Sequence, residues 1–307
     1  MSDNHTNDVT ATLVNDLLAE KRADRRFKTC RSLLWLLLFS FTVFNLFSYL
    51  NGTTGASHFA HRPQKQVALI RLDGMIAPGR AFSSQTLLPI LKEAFEDRSA
   101  VGIVIDINSP GGTPVQASII HDALLTFKKK YHKKVVIVGE DLLTSGAYYV
   151  AVAGDQIYVN PNTLTGSIGV IMKGFGFVDL MKKAGIERRV YTAGADKDRL
   201  DPFLPQTPQD LQKIRQVIAE VHQNFSQAVM NGRKGKLHGS PEQLFSGDFW
   251  SGEAALKLGL VDKLGNLMDA METEFGTTHY QEYGDTSSLM RLIGSQINST
   301  FDALFYN

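Results

Sequence analysis

Apolar positions along the chain fall into two regimes. Residues 32 to 57 contain no Lys, Arg, Asp or Glu, and their apolar heart runs from Leu33 to Leu50. From Val67 onward the apolar runs are short and are broken by turn residues. Val67 to Leu72, Gly102 to Ile107 and Lys134 to Gly139 are rich in Val and Ile and predict buried strands, whereas Leu87 to Phe95 and Val115 to Lys129 predict helices. Strand and helix alternate, which is the pattern of an α/β domain. Further on, the spacing predicts a short helix over Gly146 to Val152, a strand over Glu187 to Thr192, a long amphipathic helix over Pro208 to Asn231, and a helical pair over Pro241 to Leu258 broken near Gly247. No internal repeat is visible. The chain therefore divides into an N-terminal segment (1–31), an apolar span (32–50), a linker (51–66), a domain (67–275) and a tail (276–307), in which Ser287 to Phe305 carries an apolar face at roughly helical spacing.

The apolar span is long enough to cross a bilayer, since roughly 20 helical residues span the hydrocarbon core, and Trp35 and Tyr49 stand near its ends where amphipathic rings are favoured. A cleaved leader has a briefer basic start. Here Lys21, Arg22, Arg25, Arg26, Lys28 and Arg31 precede the span, which predicts an uncleaved anchor in the cytoplasmic membrane, an N-terminus in the cytoplasm and a domain on the extracytoplasmic side.

Composition narrows the chemistry. A net charge of +1, without basic runs interleaved with aromatics, argues against a nucleic-acid partner. The single cysteine, Cys30, excludes an intramolecular disulfide, and no CxxC or HExxH spacing suggests a metal site, so neither metal nor cofactor is expected.

Leu143-Thr144-Ser145-Gly146-Ala147-Tyr148-Tyr149 places a serine between an apolar strand and a helix, where it can act as a nucleophile or merely cap the helix. Upstream, Asn108-Ser109-Pro110-Gly111-Gly112 forms a glycine turn whose amides can receive an oxyanion, and the amides of Gly112 and Gly146 are the expected hole. Lys197, in Ala193-Gly194-Ala195-Asp196-Lys197-Asp198, is the candidate base, although lysine is ordinarily a solvated surface charge. A lysine works as a base only where burial disfavours its ammonium, so Asp196 and Asp198 should point away from it.

Together these segments resemble the signal peptide peptidase A family, membrane-bound serine proteases, in a short single-repeat form. The matching features are the Ser109 to Gly112 turn, the Ser145 motif, Thr165-Gly166-Ser167-Ile168-Gly169-Val170, the Lys197-Asp198 pair, and Trp250-Ser251-Gly252-Glu253-Ala254-Ala255 with the residues through Asp262. The resemblance spans roughly residues 67 to 275. It implies a ClpP/crotonase-like fold of repeated β-β-α units and a Ser145/Lys197 dyad, with Ser167 orienting the lysine amine. It also implies signal peptides as substrates and a homo-oligomer whose sites are shared between chains. A Ser-His-Asp triad is the rival on this fold, but no histidine lies between His132 and His222, and His121 and His222 sit on expected helices. The same glycine turn would also suit a crotonase-like acyl-thioester enzyme, and a catalytically inactive membrane scaffold would need no working serine at all.

Overall fold

The structure, a computed structural model, describes residues 34–43 and 65–284. Residues 34–43 are helical (α1) and make up the described part of the apolar span. Among the described residues no helix is long and apolar enough to cross a membrane. The N-terminal segment, the rest of the expected anchor, most of the linker and the apolar face between Ser287 and Phe305 lie outside the described residues.

The domain follows the order β1 (Gln66–Asp73), α2 (Ser84–Glu96), β2 (Ala100–Ser109), α3 (Pro114–Tyr131), β3 (Val135–Thr144), α4 (Gly146–Ala151), β4 (Gln156–Val159), β5 (Leu164–Gly166), α5 (Val178–Ala184), α6 (Pro208–Gly232), α7 (Pro241–Leu244), β6 (Phe249–Ser251), α8 (Gly252–Lys257), β7 (Lys263–Leu264), α9 (Leu267–Phe275) and β8 (Tyr280–Tyr283). These strands form one sheet in the order β6-β5-β3-β2-β1-β8, with β4 joined to β3 and β7. All pairings are parallel except β5 with β6. The sheet continues past Phe275, because β8 pairs with β1 through Val67 and Tyr280.

The strands are buried on both faces, and period-two alternation explains how. Ala68, Ile70, Ile103, Ile105 and Ile137 face the larger core with α2, α3 and α4, while Val67, Leu69, Val104, Val136 and Val138 pack with Leu267, Ala270 and Met271 of α9. Asp106, on β2, is 3% exposed; its Oδ2 takes Arg71 Nη1 at 2.5 Å while Oδ1 finds no partner among the described residues.

Two departures from simple sheet geometry shape the site. First, β3 changes neighbour along its length: Val136 to Gly139 pair with β4, whereas Leu142 to Thr144 pair with β5. The β2–β3 register shifts between Ile107 and Ser109, so the end of β3 leans toward a different strand from its beginning. Second, residues 171–207 leave the sheet. Helix α5 has no buried residue, and the strand expected over Glu187 to Thr192 does not form. A strand is stabilised by its neighbours. This segment has no paired strand among the described residues, and Tyr191 is 92% exposed.

Helix α6 is fixed from its far end. Arg233, 1% exposed, donates Nε and Nη2 to the Gly259 carbonyl at 3.0 and 2.8 Å and Nη1 to Asp262 at 2.6 Å. The same Asp262 oxygen accepts the Ile157 amide at 2.8 Å, so the helix is tied to β4 through one buried carboxylate.

Candidate active site

Ser145 stands where β3 turns into α4. Its amide donates to the Gly166 carbonyl at 2.7 Å, continuing the β3–β5 ladder, and its carbonyl accepts the Tyr149 amide at 3.0 Å, starting the helix. The junction is sharp. Ser145 has φ 53° and ψ −125°, and its side chain makes no cap hydrogen bond although it occupies the N-cap position. A non-glycine residue in such a conformation costs of order 1–3 kcal/mol, so the surrounding packing must impose it. The capping role therefore fails on geometry.

That packing comes from the glycine turn. Gly111 has φ 94°, a conformation glycine adopts without strain, and a Cβ there would lie 2.6 Å from the Gly146 nitrogen and 2.7 Å from the Ser145 Cβ. A Cβ on Gly112 would sit 1.9 Å from the Ile76 carbonyl oxygen, and one on Gly146 would lie 3.2 Å from the Gly112 nitrogen. The two glycine backbones thus touch beside Ser145. Among the described residues, neither the Gly112 nor the Gly146 amide donates to a backbone carbonyl. As a first-turn amide, Gly146 has no intrahelical acceptor, and α4 directs its positive end to the same place. Two free amides next to a serine hydroxyl form an anion-receiving corner.

Ser167 enters from β5. Thr144 and Gly166 are paired, so Ser145 and Ser167 stand one step beyond them on neighbouring strands, which lie about 4.8 Å apart. Ser167 also has a positive φ, 50°, with its amide on the Asp248 carbonyl at 2.7 Å. Among the described residues three non-glycines have positive φ; one, His132, ends α3, and the other two are these serines. The structure brings Ser145, Gly112 and Gly146 to one cavity, and Ser167, one step past the Thr144–Gly166 pair, does not line it.

Lys197 is placed differently. It lies in the exposed turn after Gly194, makes no ion pair among the described residues and does not line the cavity that holds Ser145. Asp196 is turned to Arg199 at 2.7 Å, and Arg199 in turn holds Asp210 at 2.7 Å.

The cavity beside Ser145 has a volume of about 620 Å³, within the ~300–1,000 Å³ usual for ligand sites. Its walls are α3 and α6. The sequence pattern marks both helices, but not that they face each other across the serine. Tyr149 stacks on Phe225 at 5.0 Å and meets the His121 ring edge-on at 5.2 Å. Burial first, and then the negative charge of Asp122, push the Tyr149 phenol up. His121 is 7% exposed with Nδ1 2.8 Å from Asp122 Oδ1, while His222 Nε2 contacts the Ile168 carbonyl at 3.2 Å. Both histidines are satisfied, and among the described residues no hydrogen bond joins either to Ser145. Around Ser145, sequence reasoning weighed His121 only as a rival base and gave no role to Tyr149 or Phe225, which line the cavity.

Known proteins resemble this domain along much of its length. Residues 127–274 match the model of peptidase family S49. A protein of Synechocystis sp. provisionally named as a protease is 31% identical over 214 residues, which cover 70% of this chain and 75% of that protein. One of Enterococcus faecium, provisionally named as signal peptide peptidase SppA, is 28% identical over 68% of this chain and 62% of its own length. The Na+/H+ antiporter NhaA of Brucella melitensis is 41% identical over 218 residues, 69% of this chain; the match spans only 30% of that longer protein.

Proposed function

Because this chain belongs to peptidase family S49, we propose that it is a membrane-anchored serine endopeptidase in which Ser145 is the nucleophile. The observation that carries the reading is the strained, uncapped Ser145 beside two unengaged amides. In this mechanism Ser145 Oγ attacks the scissile carbonyl and the oxyanion is received by the Gly112 and Gly146 amides. A base takes the serine proton and returns it to the leaving amine. Lys197 is that base, with Ser167 orienting its amine.

Lys197 is exposed and stands apart from the Ser145 cavity. A lysine base needs burial, so the Lys197 serving one Ser145 comes from a second copy, and the working enzyme is a homo-oligomer with shared sites. Residues 32–50 hold it in the bilayer with the domain outside the cytoplasm. The location and the largely apolar cavity suit signal peptides released into the membrane. No cofactor enters the scheme.

Mixing inactive Ser145→Ala chains with inactive Lys197→Ala chains tests this reading. Shared sites return part of the activity, through junctions that contribute both intact residues. Confirmed subunit exchange without recovered activity rules out the shared site, and full activity in either single variant rules out the dyad.

A further inference from the structure

The cavity beside Ser145 is a groove with a direction. One wall is the face of α3 from Pro114 to Leu125 and the other is the face of α6 from Val221 to Asn231, so at ~1.5 Å per residue each wall runs for about 15 Å. Ser145 lies at the Pro114 end, since Gly112 and Ala117 both abut Gly146. The groove is mostly apolar, and among the described residues no Lys or Arg lines it and Asp122 is its only carboxylate.

Asp122 is built into the wall rather than solvated at random. His121 Nδ1 holds one of its oxygens at 2.8 Å, which makes that nitrogen the donor and fixes the carboxylate, yet the Asp122 side chain is 73% exposed and no Lys or Arg pairs with it among the described residues. The nearby cation on the same helix, Lys128, is engaged by Asp155 at 2.7 Å and the Ala153 carbonyl at 2.7 Å. The opposite wall offers Asn224, Gln227 and Asn231 but no charge, and the floor offers Tyr149. An oriented carboxylate with no Lys or Arg partner among the described residues, in an otherwise uncharged apolar groove, is a receptor for a cation.

Its position sets which substrate residue it meets. Asp122 is about 12 Å along α3 from Pro114, and an extended peptide advances about 3.3 Å per residue. We propose that Asp122, oriented by His121, selects peptides carrying Lys or Arg about three or four residues to one side of the scissile bond, with apolar residues between. The inference rests on the peptidase reading for its substrate and extends it by assigning a residue to selectivity.

The test uses the full-length chain and an apolar host peptide in which a single Lys, Gln or Glu is moved through each position. Binding to the Ser145→Ala chain is followed by fluorescence anisotropy, and kcat/KM is measured on the unaltered enzyme. Lys is expected to exceed Gln by about two- to fivefold at one position, the range of an exposed ion pair, and the advantage shrinks as salt is raised. Asp122→Asn levels the preference. Asp122→Lys inverts it toward Glu, an outcome that misfolding cannot produce. Absence of charge preference at every position, or a Lys preference that survives in Asp122→Lys, overturns the inference. If the unaltered enzyme cleaves none of the peptides the peptidase reading fails, while the binding series still decides the role of Asp122.

Discussion

Thr144-Ser145-Gly146-Ala147 and Trp250-Ser251-Gly252-Glu253 are the same kind of text: the end of a strand, a serine, a glycine, then a helix of 6 residues. Ser251 does what that text ordinarily means. With φ −64° and ψ 157° its hydroxyl accepts the Ala254 amide at 3.3 Å. Ser145, with φ 53° and ψ −125°, caps nothing. The difference comes from what lies underneath. The Gly111–Gly112 turn presses against Ser145 and Gly146, and the backward twist it imposes withdraws the hydroxyl from the helix and leaves the helix amides open to another acceptor. Local sequence sets which conformations a serine can take, and remote packing selects one.

Exchanging each serine for alanine is the most direct way to break that contrast, and Ser145→Ala has the largest expected effect. It should lower kcat/KM by at least ~10³-fold with little change in melting temperature, because the hydroxyl supports no structure. Peptide turnover near that of the unaltered chain would make Ser145 a second Ser251. Next in size is Gly112→Ala, whose new Cβ meets the Ile76 carbonyl. Moving that backbone should cost about 1–3 kcal/mol in urea unfolding and, by displacing an oxyanion donor, ~10²-fold or more in kcat.

Proton linkage at two buried carboxylates has a gentler effect. On β2, burial and the neighbouring Glu140 push Asp106 up to about 7 against the pull of Arg71. Between about pH 4 and 7 the folded state then keeps a proton that the unfolded chain has released, so stability falls as pH rises through that window. Asp106→Asn should flatten this slope in thermal unfolding measured across pH. At Asp262, which ties α6 to β4, the sign is reversed. Burial raises Asp262, but hydrogen bonds from Arg233 and Lys236 outweigh it and hold the carboxyl low, so its contribution is present above about pH 4 and is lost on acidification. The smallest expected effect is that of Ser251→Ala, about 1 kcal/mol of stability with turnover retained.

The contrast also marks how far the sequence can be read. Strands β1 to β3 and helices α2, α3 and α6 were legible because their apolar periods are long and unbroken. Strands β4 and β5, with 4 and 3 residues, carry too little pattern to stand out, and β5 exists because β3 and β6 flank it. Arg188-Arg189-Val190-Tyr191-Thr192 has strand-like residues but no paired strand among the described residues, and so remains irregular. In the site, Ser145 and the glycines were marked by ordered motifs, and they meet because the Gly111–Gly112 turn packs against the end of β3 and the start of α4. The setting of Lys197 was not legible, since whether a lysine is buried depends on what packs against it. His121 and Asp122 were hidden for the opposite reason: on a helix they read as ordinary interior and surface residues.

The pairing of β8 with β1 has a mechanical consequence. The two strands run parallel, so the chain enters the pair near Gln66 and leaves it at the opposite end, after Tyr283. Tension applied across residues 65 and 284 would drag one strand lengthwise past the other. The register from Val67–Tyr280 to Ile70–Tyr283 must then yield all at once rather than open rung by rung, and the sheet edge acts as a shear clamp between whatever pulls on the two sides of the domain.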